Sequence, residues 1–121
     1  TGTKYGCGIE VCGACTVIID NQREHSCVFN VGSAVGKNIT TIEGLSQGDR
    51  LHPVQAAFTQ CHALQCGFCT PGMIMATVGL LRRCPTPTDA DIAEGLSGNL
   101  CRCTGYVNIA AAVRQAAKEP A

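Results

Sequence analysis

The chain has 121 residues, enough for one ordinary domain or two very small ones. Nine Lys and Arg balance nine Asp and Glu, and a formal charge of zero argues against a nucleic-acid or anionic-membrane surface. Hydrophobic residues make up 45% of the sequence, yet it has no Trp and is only 4% aromatic, so ten cysteines are expected to supply, through metal clusters or cross-links, the support that large core side chains do not.

The first element is a cysteine loop. Gly6 to Cys15 reads Gly-Cys-Gly-Ile-Glu-Val-Cys-Gly-Ala-Cys, which sets Cys7, Cys12 and Cys15 in C-x4-C-x2-C order, with a fourth thiol at Cys27. Four thiolates so spaced hold a 2Fe-2S cluster of the plant type, two on each iron. Disulfides or zinc are the competing readings, but zinc sites pair their thiols as C-x2-4-C and do not favour a triplet with a distant fourth. Gly6, Gly8 and Gly13 let the backbone wrap closely and aim N–H groups at sulfur.

Thr16 to Ile19 is β-branched and predicts a strand; Asp20-Asn21-Gln22 turns, and Arg23 to Phe29 returns as a second strand that delivers Cys27 to the loop. Gly36-Lys37-Asn38 is a further turn, and Ile39 to Glu43 predicts a third short strand. Past the polar connector Ser46 to Asp49 the hydrophobic period changes from two to about 3.6. His52-Pro53 opens a helix with Val54, Ala57, Phe58, Cys61 and Leu64 on one face. Thr70-Pro71 opens a second, which runs through Met73 to Leu81 and ends at Arg82 and Arg83 before Cys84-Pro85. That apolar run is broken by Thr77 and Gly79 and falls well short of the ~20 residues of a membrane helix, so a soluble chain is expected. Thr88 and Asp91 start a third helix that ends near Gly95 or Gly98. Thr104-Gly105 opens a fourth, with Tyr106, Ile109, Ala110, Val113 and Ala117 on its apolar face.

The second and fourth helices each follow a pair of thiols, Cys66 with Cys69 and Cys101 with Cys103. Two helix N-termini converging on one centre would stabilise anionic sulfur and depress thiol pKa values, which makes these four a second metal site. From spacing alone C-x2-C with C-x-C suits zinc as well as iron-sulfur. Cys61 and Cys84 read as buried small side chains or spare thiols, and His25, His52 and His62 as ordinary polar residues. Glu10 and Arg102 are either charges that tune a cluster or solvated loop residues.

Gly-Cys-Gly-x-x-x-Cys-Gly-Ala-Cys at 6–15, Ile-Thr-Thr-Ile-Glu-Gly at 39–44, Leu-His-Pro-Val-Gln at 51–55, Gln-Cys-Gly-Phe-Cys-Thr-Pro-Gly at 65–72 and Asn-Leu-Cys-Arg-Cys-Thr-Gly-Tyr at 99–106 resemble the iron-sulfur subunit of the molybdenum hydroxylases, the group of xanthine dehydrogenase, aldehyde oxidoreductase, carbon monoxide dehydrogenase and the isoquinoline type. The resemblance spans nearly the whole chain. It implies an α+β fold, with an incomplete β-grasp ferredoxin-like domain at 1–48 and a four-helix 2Fe-2S-binding domain at 49–121. It also implies two 2Fe-2S clusters: Cys7, Cys12, Cys15 and Cys27 would hold the one nearer the external acceptor, and Cys66, Cys69, Cys101 and Cys103 the one nearer molybdenum. Gln65 and Cys103 resemble residues beside the pterin of a molybdopterin cofactor bound by a separate large subunit. The implied role is a cytoplasmic electron-transfer subunit of an oxidoreductase, alone or exported within a folded complex, feeding a flavin subunit, a cytochrome or another acceptor. In the family two strands and a helix precede the position of Thr1, so the resemblance implies an uncovered sheet edge and apolar face here. A free-standing ferredoxin-like carrier is the alternative, and residues 51–118 are the feature against it; a zinc-bound structural adaptor is a further rival.

Overall fold

The computed structural model describes residues 1–119 and shows a three-stranded sheet packed against four helices. The last two residues of the expected helical domain, 120 and 121, lie outside the described residues. Strands β1 (Thr16–Ile19), β2 (Gln22–His25) and β3 (Ile39–Thr40) are antiparallel in the order β2-β1-β3. Asp20 and Asn21, at φ 48° and 67°, form the two-residue hairpin turn, the positive-φ pair that matches strand twist. Gln22 thus already belongs to β2, opposite Ile19. β2 is shorter than expected: it stops at His25, and Cys27 reaches the loop from the turn that follows. β3 likewise ends at Thr40, where the chain tightens into a 3-10 turn at Ile42–Gly44.

Helix α1 (Pro53–Gln60) is started by His52, whose Nδ1 accepts the Val54 N–H at 3.2 Å while Gln55 Oε1 accepts the His52 N–H at 2.9 Å. It stops a turn earlier than the apolar spacing predicts. The Ala63 N–H donates to the Phe58 carbonyl and the His62 N–H to that of Thr59, a Schellman motif with His62 at φ 51° in the left-handed position that glycine usually takes. Ala63 is therefore buried, and Leu64 points to solvent instead of extending the apolar face. Helix α2 (Thr70–Arg83) and helix α3 (Asp89–Leu96) match their sequence signals, α3 being capped by reciprocal Thr88 and Asp91 bonds. Helix α4 (Val107–Ala116) begins later than expected because Tyr106 is left-handed, at φ 68°, and its hydroxyl turns back to accept the Cys101 N–H at 2.9 Å.

α1 packs on α4, while α2 packs on both β1 and α3. One core results, with Ile18 of β1 beside Phe58, Met73, Met75, Val78, Ile109 and Val113. Each such fully buried side chain contributes about 1.5–3 kcal/mol relative to exposure. Cys61 and Cys84 pack, half-buried, against this cluster as expected of small apolar side chains. On the second face of β1, Val17 and Ile19 are also buried and line a groove of about 290 Å³ together with Phe29, Val31 and Ile39. Val31 and Ile39 in that groove, like Val35, are exposed apolar residues. No helix among the described residues is long and apolar enough to cross a membrane.

α2 approaches the cysteine loop without a side chain between them. A Cβ on Gly72 would drive into the Gly13 carbonyl oxygen and come within 3.2 Å of Ala14 Cα. Alanine gains about 1 kcal/mol over glycine in a helix, but forcing an atom against backbone costs about 1–3 kcal/mol. The clash is with main chain that cannot rotate away, so Gly72→Ala is expected to destabilise the protein and lower Tm by several degrees in a thermal melt.

Candidate functional site

The loop from Gly6 to Cys15 folds around its own sulfurs. Cys7 Sγ accepts the N–H groups of Ile9 at 3.4 Å, Val11 at 3.3 Å and Cys12 at 3.3 Å. Cys12 Sγ accepts from Ala14 at 3.5 Å, Cys15 Sγ from Cys27 at 3.4 Å, and the Cys27 sulfur from the Glu10 N–H. Glu10, Gly8 and Gly13 sit at positive φ, the reversals that turn successive N–H groups inward. The thiols are linked in pairs, Cys7 with Cys12 and Cys15 with Cys27, with Cys7 near enough to act on Cys27 through its charge. A Cβ on Gly6 would come within 2.8 Å of Cys12 Sγ, so the cradle closes only around glycine. This donor shell suits four thiolates on a two-iron cluster, two per iron.

The donors also set the ionisation of the thiols. The N–H groups of Cys12, Ile9 and Val11 lower the Cys7 pKa from 9.0 to about 6. At Cys27 the Glu10 N–H pulls the pKa down, but burial, the Cys15 thiol and the Cys7 charge outweigh it and push it up.

The second set of thiols is arranged differently. Cys69 is the N-cap of α2, Cys66 lies in the exposed turn before it, and Cys101 and Cys103 lie in the segment leading to α4. The Cys69 and Cys101 thiols lie close enough to act on each other's ionisation, and Cys66 acts on Cys69 through its charge. Cys101 Sγ accepts from the Thr104 N–H at 3.4 Å and the Thr104 hydroxyl at 3.2 Å, and also from the Cys103 N–H. Burial pushes Cys101 up, but the Thr104 hydroxyl and N–H outweigh it and the net shift is down. Burial, reinforced by Cys101 and Cys66, takes Cys69 to about 12. The expectation that two helix ends would depress thiol pKa values therefore fails at Cys69. Only α2 opens directly at this site, and α4 starts three residues beyond Thr104. Gln65 Nε2 donates to the Cys103 carbonyl at 3.2 Å, which brings the two expected cofactor-contacting residues together on an exposed surface. No three His, Cys, Asp or Glu side chains among the described residues converge tightly enough for a single metal ion.

Asn99 was not singled out by its sequence, yet it joins the two sets. It is 2% exposed, and its Nδ2 donates to the Gly13 carbonyl at 2.9 Å and the Thr16 hydroxyl at 3.1 Å. The next residue, Leu100, donates its N–H to the Cys12 carbonyl at 2.8 Å. Its place two residues before Cys101 was the available signal. His25, read from the sequence as an ordinary polar residue, has a nearly buried side chain 4.0 Å from the Glu10 carboxylate, with Nδ1 lacking a hydrogen-bond partner. Arg102 is exposed. A cleft of about 550 Å³ lined by Arg23, Arg82 and Arg83 contains no thiol.

In the cluster-free, reduced protein, alkylation of Cys7 by iodoacetamide is expected to rise through pH 6, whereas Cys69 resists until far higher pH. Because the Cys7 value is depressed by folding, its bonds stabilise the fold most above 9.0, and that contribution is lost as the pH falls through about 6. Mass-spectrometric mapping of the alkylated sites across pH checks both, and denaturation should return the two thiols to a common profile.

A family model for a 2Fe-2S binding domain matches residues 41–114. The chain is 54% identical over 117 residues to a subunit of nicotinate dehydrogenase from Pseudomonas putida, covering 97% of this chain and 74% of that protein. It is 53% identical over 109 residues to a subunit of a probable xanthine dehydrogenase from Bacillus subtilis, covering 90% of this chain and 62%, just under two thirds, of that protein. The fold superposes on the crystal structure of quinoline 2-oxidoreductase from Pseudomonas putida 86 with a TM-score of 0.93 at 47% identity, covering 98% of this chain and 74% of that chain. With the cysteine loop, the helical thiol set and the four helices all in place, the chain belongs to the 2Fe-2S binding family, among the iron-sulfur subunits of the molybdenum hydroxylases.

Proposed function

We propose that this chain is the electron-transfer subunit of a molybdenum hydroxylase, carrying electrons from a molybdopterin-containing catalytic subunit toward a flavin, cytochrome or other acceptor. Cys7, Cys12, Cys15 and Cys27 would hold one 2Fe-2S cluster, and Cys66, Cys69, Cys101 and Cys103 a second. When bound, such clusters supply one-electron transfer. The observation that carries the reading is the donor shell of the first loop, where backbone N–H groups from Ile9 to Cys12 already face sulfur.

The chain's own residues hold and separate the two sites. Residues 1–48, with the β2-β1-β3 sheet and the cysteine loop, are read as a partial ferredoxin-like β-grasp unit, and the four helices from residue 49 onward as the helical unit, so that each unit would carry one thiol set. The hydrogen bond between Leu100 and Cys12 joins the two sets through backbone. Gln65 and Cys103 are read as the contact to the partner's pterin. Leu64, Phe68 and Val107, near them in the sequence, are exposed apolar residues of the kind an interface core uses. Tyr5, Ile9 and Val11 are likewise exposed in and beside the first loop, the one assigned to the acceptor.

Chemical analysis is expected to find about four irons and four labile sulfides per chain. Cys7→Ser and Cys66→Ser should each remove one cluster from the visible and EPR spectra, while Cys61→Ala and Cys84→Ala keep both. Zinc in place of iron at either site would overturn the reading. Gln65→Ala should retain both clusters yet slow their reduction by substrate in the assembled enzyme, and unchanged reduction in rapid mixing would remove Gln65 from the docking face.

A further inference from the structure

We propose that Asn99 is a positioning residue for electron transfer between the two thiol sets, its carboxamide fixing the gap between the loop that carries Cys12 and Cys15 and the segment that carries Cys101 and Cys103. This rests on the reading of both sets as electron-carrying centres. Gly13 stands between Cys12 and Cys15, and Asn99 stands two residues before Cys101, so one side chain clamps the two ligand segments directly. Its hydrogen bonds join residues 86 and 83 positions apart in the chain. The packing leaves no slack, because a Cβ on Gly13 would collide with the Gly98 carbonyl and come within 2.6 Å of Asn99 Nδ2.

Two features separate positioning from simple support. The Gly13 carbonyl already accepts the Thr16 N–H at 3.1 Å and the Thr16 hydroxyl at 2.6 Å, so it does not need Asn99 to be satisfied. Asn99 Oδ1, in contrast, is buried with no hydrogen-bond partner. An apolar side chain would fill the site without that orphan oxygen, whereas the Nδ2 donor adds a side-chain tie between the two loops beside the backbone bond from the Leu100 N–H to the Cys12 carbonyl. Transfer between fixed centres depends on such preorganised spacing, and misplacement by ~1 Å is felt as a large loss of rate.

Asn99→Ala removes the bonds and the volume, and Asn99→Leu removes the bonds while keeping the branched shape and number of side-chain heavy atoms in a somewhat larger volume. In the loaded protein both variants are expected to retain the spectra of the two individual clusters but to show an altered spin–spin interaction between them when both are reduced. Intercluster transfer in the assembled enzyme should slow by about tenfold or more. An unchanged interaction and rate in both variants would overturn the proposal, as would a wild-type signature in Asn99→Leu alone, since volume would then suffice. Should either variant lose a cluster, hydrogen exchange at the Leu100 amide of the cluster-free protein decides: exchange at least about tenfold faster than wild type supports the clamp, and equal exchange refutes it. A wild-type protein lacking one of the two clusters would instead refute the underlying assignment of the sites.

Discussion

The buried carbonyl of Gly13 is the contact on which the rest of the structure depends. It accepts from the Thr16 N–H, the Thr16 hydroxyl and Asn99 Nδ2, and it lies directly against Gly72 in the first turn of α2. Three segments that carry thiols meet at this one oxygen: the loop of Cys7 to Cys15, the start of α2 just past Cys69, and the approach to Cys101. A buried carbonyl with several donors is costly to displace, since a donor left without its acceptor loses about 1–3 kcal/mol. The absence of a Cβ at both Gly13 and Gly72 lets the segments touch through backbone. Main-chain contacts have far less freedom than side-chain contacts, so the spacing of the two sites is set by the least adjustable part of the molecule.

The two thiol sets reach their electrostatic state by different routes. In the first loop the residues between the ligands turn their own N–H groups onto sulfur, and Cys7 falls to about 6. In the helical set burial dominates at Cys69, and relief comes from Thr104, which donates twice to Cys101. A thiolate at Cys69 without a compensating charge is therefore unfavourable, whereas a bound cation would reverse the balance and convert that cost into affinity. The loop set is organised for anionic sulfur by its own backbone N–H groups. The helical set depends more heavily on its occupant.

Much of this was legible in the sequence because it rests on local rules. Proline after His52 and Thr70, and the Thr88 to Asp91 box, placed three helix starts correctly, and the spacing of the first loop picked out thiols that lie within reach of one another, Cys7 with Cys12 and Cys15 with Cys27. The errors lie where a residue takes a conformation unusual for its type. His62 and Tyr106 adopt left-handed geometry without being glycine, so α1 stops early, α4 starts late, and neither Leu64 nor Tyr106 joins the apolar face that periodicity assigned to it. Asn99 was invisible for another reason. Its partners lie more than eighty positions away, and no local pattern distinguishes a buried clamp from a loop asparagine.

The division of labour between core and loops follows from composition. Lacking Trp, the chain concentrates its large buried side chains, Phe58, Met73, Met75, Ile109 and Val113, where helices cross, and Ile18 adds the sheet to the same cluster. The ligand loops are different: Ile9, Val11, Leu64, Phe68 and Leu100 are exposed, and little hydrophobic burial holds these segments. Their order comes from hydrogen bonds to sulfur and from the Gly13 contact, and bound clusters would tie together positions 7 to 27 and 66 to 103. Some of the apolar side chains left at the surface, Ile9, Val11, Phe68 and Leu100 among them, belong to these ligand loops, and residues that contribute little to folding are free to bury against another surface.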